Sequence, residues 1–306
     1  MKKQSFLQRV KKDFKKHRYV YYMAIPIAVY YVIFCYLPLC GVVIAFQDYK
    51  PAKGFLDSNW VGLKHFVDFL TGPYASRVIS NTVVINIMHL IIGFPAPVIL
   101  AIMINEVGNK KFKKVFQTIS YMPYFIPTVV ACGMIIMFSR STGVFSDVLA
   151  LFGFERNNLL MIPELFKPLL VGTDIYQGIG WGTIIYLATL SGIDPGLYEA
   201  ASIDGAGRFR KIFHITIPGI MPVVIIQLIM QMGRIMSSGF EKIILLYNPI
   251  NMKKADVIAS FVYRRGLQEM DYSFGTAVDI FTAVINLLFL VLANWIAKKT
   301  TEDSLW

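Results

Sequence analysis

What this 306-residue chain lacks narrows its chemistry before anything it contains does. It has only three cysteines, Cys35, Cys40 and Cys132, all in apolar stretches and without CxxC or Cys/His spacing. They read as small apolar packing residues, so neither a disulfide framework nor a metal site is expected. HExxH, GxSxG and the phosphate-binding GxxxxGK[ST] are absent, so if ATP powers this chain, another polypeptide has to bind it. Charge is scarce too: 16% of residues are charged and 56% hydrophobic, too apolar for a soluble globule of this length. Strand-length alternation does not recur, which argues against an outer-membrane barrel.

What is present is six apolar stretches long enough to cross a bilayer as helices, near 20–46, 78–104, 115–138, 168–190, 218–241 and 274–297. The expected fold is an all-α polytopic membrane protein with six transmembrane helices. A basic segment, 1–19, holds eight Lys/Arg and includes Phe6, Leu7 and Phe14; it reads as an amphipathic lead-in on the inner membrane surface. The six-span domain then covers 20–297, with 298–306 as a tail. The first apolar run is too long for a signal-peptide core and reads as a retained helix.

With the N-terminus inside, the inner pieces (1–19, 105–114, 191–217, 298–306) carry 17 Lys/Arg in 65 residues, and the outer pieces (47–77, 139–168, 242–273) carry 12 in 93. This bias predicts a multi-pass protein of the cell membrane with both termini cytoplasmic. The net charge of +11 is therefore read as topology and attraction to anionic membrane lipid, not as nucleic-acid binding.

Within the spans, Pro123 and Pro127 each remove a backbone donor, so a kink or break is expected in span three. Such irregular backbone survives at membrane depth where it is protein-buried or lines a cavity. Gly178 and Gly182 in span four permit close helix contact, a candidate subunit interface. His89 in span two is expected to be a hydrogen-bonded interior residue. After span four, Asp194-Pro195 opens a short helix, Asp as N-cap and Pro in the first turn. Ala200 and Ala201 remove bulk so that a partner can approach, Glu199 offers a charge, and Gly205 and Gly207 let the chain turn.

Polar residues inside spans are costly and are default functional candidates. On span five, Gln227, Gln231, Arg234, Ser238 and Glu241 fall on one helical face. Arg234, Asp174 and Asp279 all sit roughly 8–11 Å below the outer boundary by helical rise, which predicts that Arg234 pairs with Asp279 or Asp174 as part of an outer gate.

The spacing Glu199-Ala200-Ala201-x3-Gly205-x9-Ile215-Thr216-Ile217-Pro218 resembles the cytoplasmic EAA loop by which membrane subunits of binding-protein-dependent ABC importers grip their ATPase; Ile217 stands where Leu is commoner. Over nearly its whole length the chain is similar to the polysaccharide and complex-oligosaccharide branch of carbohydrate-uptake class 1 permeases, a type common in Gram-positive bacteria. The shared residues include Gly41 to Phe46, Trp60-Val61-Gly62-Leu63, Asn105-Glu106, Gln117 to Pro123, Gly239-Phe240-Glu241 and Ser304-Leu305-Trp306.

The resemblance implies a type I importer (MetI-like) permease fold whose coupling loop is 194–218, with Glu199, Ala200, Ala201, Asp204 and Gly205 facing the ATPase. It also implies the partners: a second, homologous permease subunit in a heterodimer, two ATPase subunits carrying ATP and Mg, and a lipid-anchored extracellular solute-binding protein. No cofactor is expected in this chain, which would be a permease subunit and not an enzyme. It would move oligosaccharides or polysaccharide fragments by alternating access. On that reading Gln227, Gln231 and Arg234 would meet an uncharged, hydroxyl-rich glycan, with Tyr124, Trp181 and Tyr186 stacking on sugar rings. The alternatives are an ion-coupled secondary transporter using Asp174, Asp279 and His89, and a membrane-embedded enzyme, for which the outer loops offer only scattered acids.

Overall fold

A computed structural model describes residues 14–237, 239–301 and 304–306. Most of the lead-in 1–19 and Ser238 lie outside the described residues. The fold is helical, with one small antiparallel pair, β1 (Gln47–Asp48) and β2 (Asn59–Trp60), in the register Gln47↔Trp60 and Asp48↔Asn59. Among the described residues, four helices are long and apolar enough to cross a membrane: α1 (Arg18–Phe46), α3 (Ala75–Asn105), α9 (Arg208–Met232) and α13 (Tyr272–Thr300). A fifth span is obtained if α4 (Lys110–Phe125) and α5 (Thr128–Phe138) count as one; they meet at 97°. That bend stands where Pro123 and Pro127 predict it. Shorter helices between the spans are α2 (Lys64–Thr71) and α6 (Val144–Leu151).

The predicted fourth span is the 26-residue helix α7 (Phe166–Ser191), which has crossing length but, with Lys167, Asp174 and Gln177 in it, is not among the helices apolar enough to cross. Its position explains this. Thr173, Gln177, Gly180, Thr183 and Tyr186 are buried, so α7 is lined by other helices, and its polar groups find partners there. Gln177 donates to the Ile126 carbonyl at 3.2 Å, satisfying backbone freed by the bend between α4 and α5. A Cβ on Gly180 would fall on the Ser120 carbonyl, and one on Gly182 would lie 2.9 Å from Pro97 Cβ. Gly180 and Gly182 therefore let α7 press against α4 and α3 of the same chain, whereas a Cβ on Gly178 would meet nothing within 4 Å.

α3 is interrupted by a π-helical turn, His89–Gly93, followed by Pro95 and Pro97. α9 departs further from expectation. It starts at Arg208, well before Pro218, and ends at Met232, whereas the sequence predicted a span to 241. A turn follows, then α10 (Phe240–Leu246), α11 (Met252–Ala255) and α12 (Ile258–Val262), the last running into the wide turn Tyr263–Gln268.

The break after Met232 is held from α13: Asn286 accepts from the Met236 amide at 2.9 Å and donates to Ser237 Oγ at 3.0 Å. Asn286 lies about 21 Å along α13 from Tyr272 at ~1.5 Å per residue, near the middle of that helix.

Three apolar clusters hold the bundle. One joins the second half of α3 (Ala101), the end of α7 (Tyr186, Leu190) and α9 (Ile220), at the end of the bundle carrying the 194–218 loop. The other two lie toward the opposite end, around Phe69, Val78, Phe261 and Phe274, and around Ile85, Phe166, Leu170 and Ile243. Between them Asp256, its side chain fully buried, is gripped by Arg77, Arg264 and Ser260. In contrast, Ala45 is the one fully buried residue of α1, and most of the helix before it is exposed, left for lipid or a neighbouring chain.

Candidate functional site

The first part of the site is the loop between α7 and α9. The sequence Asp194-Pro195 starts α8 (Pro195–Ile203) as expected: the Asp194 carboxylate accepts from the Gly196 amide at 2.9 Å, and Pro195 occupies the first turn. The helix closes at Gly205, whose φ of 74° is a conformation that side chains with a Cβ rarely adopt, and the Ala206 amide returns to the Ala201 carbonyl at 2.8 Å. Glu199, Ala200, Asp204 and Gly205 are exposed and Ala201 is half-buried. Leu197, Ile203, Phe209 and Phe213 are exposed beside them. This is a small-residue surface with an apolar border.

Among the described residues, three polar contacts fasten the loop to the bundle. Tyr198 Oη meets the buried Thr216 Oγ1 at 3.0 Å, and Lys211 Nζ donates to Ser202 Oγ at 2.6 Å. Arg208 Nε donates to Glu106 Oε2 at 2.6 Å, linking the start of α9 to the residue that ends α3.

The second part is a polar cavity of about 310 Å³ between α3, α7 and α9, whose lining includes His89, Pro97, Asp174, Gly178, Gln227 and Gln231. Gln227 and Gln231 reach one wall because they are four residues apart on α9. Asp174 on the facing wall is divided between two partners. One carboxylate oxygen accepts from Lys242 Nζ on α10, and the other lies 2.9 Å from His89 Nε2. His89 is thus the hydrogen-bonded interior residue the sequence suggests.

The predicted gate pair is not formed. Among the described residues no ion pair joins Arg234 to Asp174 or to Asp279; Asp174 is taken by Lys242 and His89, and Asp279 is exposed. The cause is the break in α9: Arg234 sits in the turn after Met232, so neither its facing nor its depth follows from a straight helix. It stands exposed three residues beyond Gln231. Tyr124 and Trp181 do come together, their rings stacked at 4.5 Å and 4° with Phe125 edge-on to Trp181 at 5.9 Å. Each ring covers one face of the other; both side chains stay half-exposed, and neither is among the residues lining the cavity.

The sequence alone does not single out Lys242, at the head of the outer piece 242–273, or Glu106, beyond its place in the Asn105-Glu106 match. A basic residue directly after the apolar run ending near 241 was the available signal for the first.

Comparison with known proteins connects these two parts. Residues 93–302 match the family described as binding-protein-dependent transport system inner membrane component. The chain is 40% identical over 292 residues to the polygalacturonan/rhamnogalacturonan transport system permease protein YteP of Bacillus subtilis (strain 168), covering 95% of this chain and 91% of that one. It is 39% identical to protein LplB of the same organism over 293 residues, covering 95% and 92%.

Its fold is similar to a chain in the crystal structure of a bacterial alginate ABC transporter in complex with alginate pentasaccharide-bound periplasmic protein. The TM-score is 0.89 at 38% identity, covering 97% of this chain and 100% of that one. A second structure, of a bacterial ABC transporter involved in import of the acidic polysaccharide alginate, gives a TM-score of 0.88 at 39% identity, covering 96% and 99%. With two thirds of its length in the family match and relatives of this identity spanning nearly all of it, the chain belongs to the inner-membrane permease components of binding-protein-dependent ABC transport systems.

Proposed function

We infer that this permease imports acidic oligosaccharides, taking them through the cavity between α3, α7 and α9. The observation that carries this reading is the kinship, at about two fifths identity over nearly the whole chain, with a polygalacturonan/rhamnogalacturonan permease and with transporters of the acidic polysaccharide alginate. It replaces the uncharged glycan suggested by the polar stripe alone. Arg234 supports it as an exposed cation just beyond the cavity-lining Gln231. Gln227 and Gln231 offer amides to sugar hydroxyls, and the stacked, half-exposed Tyr124 and Trp181 offer aromatic surface.

The rest of the machine follows the family pattern. Both termini and the 194–218 loop face the cytoplasm, where an ATPase holding ATP and Mg docks on Glu199, Ala200, Ala201, Asp204 and Gly205. A homologous permease completes the membrane heterodimer, with a second ATPase copy on its own loop, and a lipid-anchored extracellular binding protein delivers the glycan. Family membership sets aside the ion-coupled alternative; Asp174 and His89 meet, but Lys242 already compensates the carboxylate.

The test is uptake by the assembled transporter of an oligogalacturonate against its carboxyl-reduced, neutral counterpart. The acidic glycan should be preferred, and Arg234→Gln should lower its uptake about tenfold, the scale of one charge-assisted hydrogen bond, while sparing the neutral one. Equal uptake of both glycans, unchanged by Arg234→Gln, would refute the reading.

A further inference from the structure

The bundle divides into two packed blocks. Toward the docking loop, the second half of α3 (Val98, Ala101, Ile102) packs with the end of α7 (Tyr186, Leu190) and with α9 (Ile220, Val223, Val224). At the other end, the first half of α3 is fixed by Asn81, which donates to the Lys253 and Asp256 carbonyls at 3.0 and 2.9 Å, and by Arg77 on Asp256.

Between the blocks α13 crosses unbroken, while three other elements are interrupted or rich in glycine. α3 has its π-helical turn His89–Gly93 and then two prolines; α7 has Gly178, Gly180 and Gly182; α9 ends at Met232. π-helical turns and prolines are where helices bend. The polar cavity lies at this seam, with His89, Gly93, Pro97, Gly178 and Gly182 in its wall.

The docking loop grips the first block at two places. Tyr198–Thr216 and Lys211–Ser202 bind α8 to the base of α9. From there one polar contact, Arg208 to Glu106 across 102 residues of sequence, reaches the end of α3. Glu106 is 20% exposed and Arg208 65% exposed. An ion pair this open contributes little to stability, so its place at the junction of loop and span is a better account of it than folding is.

We propose that Glu106 and Arg208 are a positioning pair that makes the second half of α3 follow the docking loop, so that movement of the ATPase reaches the cavity wall through the His89–Gly93 turn. The inference rests on the docking role proposed above for α8. Rigid elements joined by a polar contact and bending at a defined turn are the usual means of carrying such motion. Without the pair, α9 is left, among the described residues, with apolar packing against α3, and loop movement is taken up without swinging the span.

The test uses the complete transporter, permease pair, ATPases and binding protein, in liposomes, measuring ATPase co-purification and glycan imported per ATP hydrolysed. Arg208→Gln and Glu106→Gln should keep the ATPase bound and hydrolysing while import per ATP falls about fivefold or more, the lower end of typical coupling between sites. The swap Glu106→Arg with Arg208→Glu should restore much of the ratio, which a general folding defect would not allow. An unchanged ratio in the single variants, or a swap no better than they are, overturns the pair's role. Absence of ATPase co-purification with the unaltered chain overturns the docking reading instead.

Discussion

Asp174 and His89 meet across α7 and α3, 2.9 Å apart, while Lys242 of α10 holds the other oxygen of the same carboxylate. One acid thereby ties together a span, the bent middle of another, and the helix that follows the break in a third. Lys242 is 15% exposed, so the carboxylate rather than water is the main partner of its ammonium group. Asp174→Ala should destabilise the protein by about 3–5 kcal/mol, the cost of leaving a buried charge unpaired. Replacing the pair together, Asp174→Leu with Lys242→Met, should recover most of that stability without recovering transport. Thermal unfolding in detergent alongside uptake separates the two effects; a single variant as stable as the parent would show that the pair is solvated.

Asp256 gives a second stability prediction. Its carboxylate lies 2.7 Å from Arg264, 3.1 Å from Arg77 and 2.7 Å from Ser260 Oγ, with the side chain wholly buried. Asp256→Ala leaves two guanidinium groups facing each other and should cost about 3–5 kcal/mol. The segment around α11 and α12 should come away from α3 first, visible as faster amide exchange at Ile258, whose amide is bonded to Thr82 Oγ1 at 3.0 Å.

Gly180 tests the packing of α7 on α4. Since a Cβ there would meet the Ser120 carbonyl, Gly180→Val has to push two backbones apart and should cost about 1–3 kcal/mol or more. Gly178→Ala, with open space around it, should be nearly neutral by the same unfolding measurement. Equal effects at the two positions would contradict the contact.

The docking assignment predicts a loss of association without a loss of fold. Glu199 and Ala200 are exposed and make no packing contribution to the three clusters, so Glu199→Ala and Ala200→Trp should leave the unfolding temperature within about 1–2 °C, as surface substitutions do. Both should release the soluble ATPase on co-purification. ATPase retained by both variants would place the contact elsewhere.

The features legible in the sequence were those set by neighbouring residues. Pro123 and Pro127 announce the bend of 97°. Asp194, Pro195 and Gly205 announce the start and the end of α8. The end of α9 was not legible, because Gly233 alone is a mild interruption and Ile235 and Met236 continue the apolar pattern. What stops the helix being extended is Asn286, 50 positions away in sequence, bonded to the Met236 amide. The partner of Asp174 was missed for the same reason. A depth calculated along a straight helix put Arg234 beside it, whereas the break removes Arg234 and brings Lys242 back on α10.

The central claim is that transport through this chain is powered by ATP on another polypeptide. The direct measurement is oligogalacturonate uptake into liposomes holding the complete transporter, both permeases, the ATPases and the binding protein, with ATP supplied only on the ATPase side and every ion gradient collapsed. Uptake should appear with ATP, vanish without it, and vanish in Glu199→Ala. Uptake by the permease without any ATPase, driven by a proton or sodium gradient, would contradict the account.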